Sequence, residues 1–249
     1  MDPADRRFAR VADFLGEEGF RRVRSASVTV FGLGGVGCHA AIALARSGIG
    51  LLRLVDFDTL TETSLNRNPL ASPSDCGRSK VDVLARYLGE SCPGTSVVAD
   101  REFFHEETAD RLLSPRPDAV VDAIDSLGPK ASLLEQCLAR GLKVFSSMGA
   151  SGRRDPSMVR TGDISETRNC PLARQLRKYL RKRGIEAGIP CVYSMEVSNG
   201  HFLPPDLEDL TLMRGRTRNR IPSLITMPGI FGYAVAGMVL GHLSEGSAE

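Results

Sequence analysis

The chain has 249 residues, 42% of them hydrophobic and 25% charged, with a formal net charge of +2. These values belong to a folded globular protein with a sizeable core and exclude a disordered or charge-dominated chain. They also exclude a polycation, so any attraction to nucleic acid has to come from a local basic cluster. The six cysteines, Cys38, Cys76, Cys92, Cys137, Cys170 and Cys191, form no C-x-x-C pair. That scatter argues against a disulfide framework or a zinc knuckle and suits a reduced, cytoplasmic protein. The N-terminal "MDPADRRFARVADFLGEEGF" is charged throughout, so no secretory signal is expected.

In chain order, "SVTVFGL" is a short β-branched strand and "CHAAIALARSG" a helix stopped by Gly48. "LLRLVDFD" is a second strand ending in carboxylates. "SKVDVLARYLGESC" is an amphipathic helix with Val81, Leu84 and Leu88 on one face. "TSVVADREF", "DAVVDAIDS" and "LKVFSSMG" read as three further strands, separated by the helical "HEETADRLLS" and "KASLLEQCLARG". Such alternation predicts an α/β, Rossmann-like fold: a mainly parallel sheet with helices on both faces. After Gly149 the alternation stops, giving an elaborated C-terminal third. There "SMVRTGDIS" and "PCVYSMEVS" read as strands and "PLARQLRKYLRKRG" as a basic helix. "NGHFLPPDLEDLTLMRGRTRNRIP" reads as a mobile polar excursion. "LITMPGIFGYAVAGMVLGHL" is uncharged and long enough to span a bilayer. Its proline and glycines favour a buried C-terminal helix starting near Pro228, so no stable membrane association is expected.

The motif "VFGLGGVG" places Gly32, Gly34 and Gly37 between a strand and a helix, in the spacing G-x-G-x-x-G. Glycine lets backbone approach a phosphate, and the helix N-terminus adds amide donors and a positive dipole end. Gly35 is a further place for such an approach. Asp56, about 20 residues on, stands where a carboxylate accepts hydrogen bonds from ribose hydroxyls, and Asp58 serves the loop that follows. To this point NAD and ATP are equally suited. Asn66 and Arg67 in "SLNRN" supply an arginine fork for phosphate oxygens. Lys80 in "GRSK" opens a helix with a point charge. Asp125, at the end of the fourth strand, is placed to bind Mg²⁺ together with substrate phosphates. Together these favour ATP·Mg²⁺ over a dinucleotide.

G-x-G-G-x-G, D-F-D, N-R, a helix-opening lysine and D-x-x-D in this order resemble the ubiquitin-activating-type (ThiF/MoeB-like) adenylyltransferases. The resemblance implies adenylation of a carboxylate. Asp56 would hold ribose, Arg67 and Lys80 the phosphates, and Asp125 the metal. Arg7, before Phe8 in "RRFAR", would reach the site of a neighbouring protomer in a homodimer. It further implies one domain over residues 1–249, with an ATP-binding part at 1–150 and a substrate-binding and dimerisation part at 151–249.

Within that superfamily "ALARSGIGLLRLVDFD", "VDAIDSLGPKASLLEQC" and "CVYSMEV" resemble the tRNA threonylcarbamoyladenosine dehydratases. The implied partner is tRNA, with room for a monovalent cation and a sulfur-relay protein. The alternative is activation of the C-terminal carboxylate of a ubiquitin-like sulfur-carrier protein; the absence of zinc-binding cysteine pairs counts against it. The basic run offers Arg174, Arg177, Lys178, Arg181, Lys182 and Arg183 as contacts for an RNA backbone. Arg214 to Arg220 form a second basic run, and Cys191 is a candidate reactive thiol. Ser64 and Asn68 stand where this family pattern carries Asn and Gln, and Cys38 where it carries a small Ala or Ser. At Ser64 a shorter donor to phosphate is expected.

Overall fold

The computed structural model describes residues 6–198, 203–204 and 221–245. The basic run Arg214 to Arg220 and most of the polar excursion around it lie outside the described residues. Seven strands form one sheet: β1 (Ser27–Phe31), β2 (Leu51–Val55), β3 (Ser96–Asp100), β4 (Ala119–Asp122), β5 (Val144–Ser147), β6 (Val159–Asp163) and β7 (Pro190–Ser194). Their order is β3-β2-β1-β4-β5-β7-β6. All neighbours are parallel except β6 with β7. The order reverses direction between β1 and β4, and in open α/β sheets the crevice beyond the strands' carboxyl ends at that point takes the ligand.

The helices are α1 (Ala9–Ser25), α2 (Gly35–Arg46), α3 (Lys80–Ser91), α4 (Glu106–Leu112), α5 (Leu127–Ala139), α6 (Pro171–Arg181) and α7 (Thr226–Glu245). Strand alternation divides the core. Val28, Val30, Leu52 and Leu54 pack with buried residues of α1, α2, α3 and α7. Phe31, Val55 and Val120 pack with those of α4, α5 and α6. Each sheet face is thus covered, which is why the central strands are apolar on both sides. The N-terminal stretch, whose sequence shows mainly its charge, forms α1, bent at Gly16 with φ 72°.

Helix α7 begins two residues before Pro228, which sits in the first turn, where no amide partner is lost. It is the one described helix long and apolar enough to cross a membrane. Met227, Phe231, Val235, Ala236 and Val239 are buried with α2 and the sheet, and burying a side chain such as Phe231 stabilises by about 1.5–3 kcal/mol. Its approach to α2 depends on glycine. A Cβ at Gly232 would lie 2.6 Å from the Val36 carbonyl oxygen and 2.7 Å from His39 Cβ.

Gly232→Ala is therefore expected to destabilise the fold by about 1–3 kcal/mol through overpacking. Gly89→Ala, on an open face of α3, should instead stabilise by about 0.5–1 kcal/mol through helix propensity. Thermal unfolding of the two variants checks the contrast, and equal melting temperatures would mean that α2 and α7 pack loosely.

Candidate nucleotide-binding site

The loop leaving β1 is shaped by backbone crowding. Gly32 has φ 85°, and a Cβ there would lie 2.8 Å from the Ala123 carbonyl oxygen. A Cβ on Gly37 would collide with the Gly32 carbonyl oxygen. Both positions need glycine to close the turn. Gly35 has a different task from the expected approach to phosphate: a Cβ there would meet Pro228 Cβ at 2.8 Å, so this glycine lets α7 pack behind the loop. Gly34 differs again. It is exposed, stands at the N-cap of α2, and has open space where its Cβ would be. Of the loop glycines, Gly34 is the one where open space meets a helix N-terminus, the arrangement that receives a phosphate.

Two carboxylates follow β2. Asp56 is buried; its Oδ2 accepts the Leu33 N–H at 2.5 Å and its Oδ1 the Asp58 N–H at 2.8 Å. It therefore pins the glycine loop as well as facing the expected ribose position. Burial pushes its carboxyl pKa upward, opposed by the charge of Lys80. Lys80, at the first residue of α3, places Nζ 2.7 Å from Asp58 Oδ2. Burial works against its ammonium, but Asp56 and Asp58 outweigh that penalty and hold it above the ordinary lysine range. The charge of Asp125 acts on Lys80 in the same sense. Asp125 does not end a strand as expected: β4 ends at Asp122, and Asp125 is exposed in the turn entering α5. Helical start signals displace it there, with Ser126 as N-cap.

The segment after β2 runs beside the loop. Arg67 Nη1 donates to the Thr63 carbonyl at 2.7 Å and to Asn66 Oδ1 at 3.3 Å. Its own carbonyl oxygen lies 3.4 Å from where a Gly35 Cβ would be. Asn66 is exposed. Ser64 is turned away from the role expected of it: its hydroxyl accepts the Thr61 N–H at 3.3 Å and contacts the Thr61 hydroxyl at 3.0 Å, capping a 3₁₀ turn. Asn68 and Cys38, two positions that depart from the family pattern, touch each other, with Asn68 Nδ2 3.6 Å from Cys38 Sγ.

The remaining candidates lie elsewhere. Arg7 packs beside Phe8 and near Gly94, just before β3, at the sheet edge opposite the glycine loop; the chain does not bring it to its own site. On α6, Arg174, Lys178, Arg181 and Lys182 are exposed. Arg177 is instead bound to the carbonyl and hydroxyl of Thr167. Arg183 pairs with Glu135 at 2.7 Å and lies over the Tyr179 ring. Neither of these two is a free contact for RNA, because acceptors distant in sequence take them. Cys191 is fully buried and burial pushes its thiol up to about 12, so it is not a reactive thiol. Among the described residues no group of three or more His, Cys, Asp and Glu is placed to hold a metal ion.

Two features do not announce themselves as functional in sequence. Arg153, buried, donates to the carbonyls of Gly149, Ser151, Asn169 and Glu196. It ties the loops after β5 and β7 to the start of α6. Asp122 and Lys130 form an ion pair with no exposed surface. The signal for the second is a lysine in the apolar stripe of α5, in line with Leu133, Leu134 and Cys137.

Order, glycine loop and charges define an α/β nucleotide-binding protein built to handle a polyanion. The chain matches the ThiF family over residues 5–247 and belongs to it. It is 36% identical to tRNA threonylcarbamoyladenosine dehydratase 2 of Saccharomyces cerevisiae, over 95% of this chain and 56% of that protein. It is 39% identical to the tRNA threonylcarbamoyladenosine dehydratase of Bacillus subtilis, over 76% of this chain and 74% of that one. The crystal structure of the Escherichia coli tRNA N6-threonylcarbamoyladenosine dehydratase in complex with ATP superposes with a TM-score of 0.85 at 28% identity, covering 98% of this chain and 96% of that chain. The chain spans a little over half the length of the yeast relative, 56%.

Gly34→Val should leave the melting temperature unchanged, because its side chain enters open space. It should weaken ATP binding at least about tenfold, the cost of charge-assisted hydrogen bonds denied to a phosphate. Calorimetric titration with ATP checks this. Native Cys191 should resist iodoacetamide at pH 8 and react only after unfolding, as peptide mass mapping would show.

Proposed function

We propose that this protein is an ATP-dependent tRNA-modifying dehydratase that adenylates the threonyl carboxylate of threonylcarbamoyladenosine and then cyclises it. The observation that carries this reading is the convergence of open Gly34, Lys80 and Asp125 at the sheet's switch point, in a ThiF-family chain 36% and 39% identical to enzymes of that name. A carboxylate is a poor electrophile. Its oxygen attacks the α-phosphorus of ATP, pyrophosphate leaves, and the resulting acyl-adenylate is a good one. The ureido group of the same nucleotide then displaces AMP and closes a ring. The substrate loses one water, whose oxygen departs on AMP.

The residues divide this work. Gly34 and the α2 amides receive phosphate oxygens, and Asp56 accepts from ribose. Lys80 exchanges Asp58 for phosphate, a short move for an ammonium already paired at 2.7 Å. Arg67 turns its fork from the Thr63 carbonyl to the phosphates. Asp125 would hold Mg²⁺, which neutralises triphosphate charge; one carboxylate plus phosphates is a donor set that ion accepts. The opposite-edge position of Arg7 suits donation to a second copy, and exposed Phe14 and Tyr233 offer apolar surface for a homodimer. The 151–249 part would supply substrate contacts and dimer surface. Its exposed Arg174, Lys178, Arg181 and Lys182 would track the tRNA backbone, on a helix that Arg153 anchors to the loops beyond β5 and β7.

With ATP, Mg²⁺ and threonylcarbamoylated tRNA, the purified protein should release AMP and make the RNA lighter by one water. Intact tRNA mass would overturn the reading. ATP–pyrophosphate exchange that needs a small carrier protein and ignores tRNA would favour the sulfur-carrier alternative. Arg174→Glu with Lys178→Glu should raise KM for tRNA at least about tenfold and flatten its salt dependence by about one phosphate contact per residue, leaving ATP affinity unchanged.

A further inference from the structure

The buried ion pair beneath Asp125 is not needed for any step above, yet every bond it makes converges on one peptide. Lys130 Nζ lies 2.7 Å from Asp122 Oδ2 and donates to the Ile124 carbonyl at 3.0 Å. Asp122 Oδ1 accepts the Ile124 N–H at 3.1 Å, and its Oδ2 accepts the Ser146 hydroxyl of β5 at 2.6 Å. Both charges thus grip Ile124, the residue before Asp125, one by its carbonyl and one by its amide. From the other side the glycine loop presses on the same turn. The Cβ position of Gly32 is 2.8 Å from the Ala123 carbonyl oxygen and 3.0 Å from the Ile124 nitrogen.

Stability alone does not ask for this arrangement. A buried ion pair loses several kcal/mol of solvation per ion, and an apolar pair of similar volume is commonly as stable. What charge supplies here is direction, since two short bonds of defined geometry hold one peptide plane. We propose that Asp122 and Lys130 are positioning residues that set the turn 123–125, and through it the aim of the Asp125 carboxylate at a nucleotide-bound divalent cation. The proposal rests on the ATP·Mg²⁺ reading of the site. Neither side chain touches nucleotide or metal.

The test compares the wild-type protein with Asp122→Asn/Lys130→Met, which removes both charges together and so leaves none buried and unpaired. Isothermal titration with ATP is run across a Mg²⁺ series and without Mg²⁺, beside thermal unfolding. The double variant is expected to bind ATP without Mg²⁺ as the wild type does. It should need about 10–100-fold more Mg²⁺ for half-maximal enhancement of ATP binding, the cost typical of lost support behind a metal ligand. An unchanged Mg²⁺ requirement in a folded variant would overturn the proposal and make the pair a packing feature. Lys130→Arg keeps the charge but alters its reach to Ile124; it should show the same shift in smaller measure, and it supplies the readout if the double variant does not fold. A wild-type protein that binds no ATP overturns the underlying site reading instead, and that outcome is visible before any variant is made.

Discussion

The contact between Gly37 and the Gly32 carbonyl is the constraint from which the nucleotide edge is built. With no side chain at either position, the chain leaves β1 and enters α2 within three residues. That turn brings the α2 N-terminus directly beyond the end of β1, at the point where sheet order reverses. The Leu33 amide then faces Asp56 across the end of β2, and Ala123 closes in from β4. Pro228 seals the rear against Gly35. Three sides of the loop are thus filled by protein, and the fourth, at Gly34, is open.

The charges around this opening are arranged for exchange. Placing an ammonium in a mostly buried position costs several kcal/mol unless it is paired. Lys80 has Asp58 at 2.7 Å, but 14% of its side chain and 32% of that of Asp58 remain exposed. A phosphate arriving from solvent can therefore replace a carboxylate without stranding a charge. Lys130 and Asp122 show the opposite design, at the same distance of 2.7 Å and with no exposure at all. No ligand can compete for that pair. The same ion-pair chemistry yields a relay in one place and a strut in the other, and burial decides which.

Much of this architecture is legible in sequence because strand and helix periods are local. All seven strands fall on apolar runs visible as such, and Val81, Leu84 and Leu88 form the buried stripe expected of α3. The site was legible as a set of residue types in order. What sequence did not carry is partnership across long separations. Gly35 looks like its neighbours until Pro228 is seen behind it. Arg177 and Arg183 look like Arg174 until Thr167 and Glu135 approach them. Lys130 is legible only as an oddity, a cation in an apolar stripe, and nothing local tells that its partner ends β4. Cys191 follows the same logic in reverse, since reactivity depends on surroundings that a strand in the middle of a sheet excludes.

The departures from the family pattern make sense at the same level. Taken singly, Cys38 is larger than the expected Ala or Ser, and Asn68 is shorter than the expected Gln. They meet in space, with the Asn68 amide on the Cys38 sulfur and that sulfur donating to the Leu33 carbonyl at 3.1 Å. Bulk lost at one position is present at the other. The shorter Asn68 also turns its carbonyl oxygen back to the Leu70 and Ala71 amides, at 3.0 and 3.1 Å. This local turn holds the chain just after Arg67 to its own backbone. With Ser64 capping the turn before it and Asn68 capping the turn after, Arg67 is held at both flanks by local bonds. Its guanidinium is bonded only to neighbours within the segment, the Thr63 carbonyl and Asn66, so the arginine fork remains available although the two flanking side chains have changed.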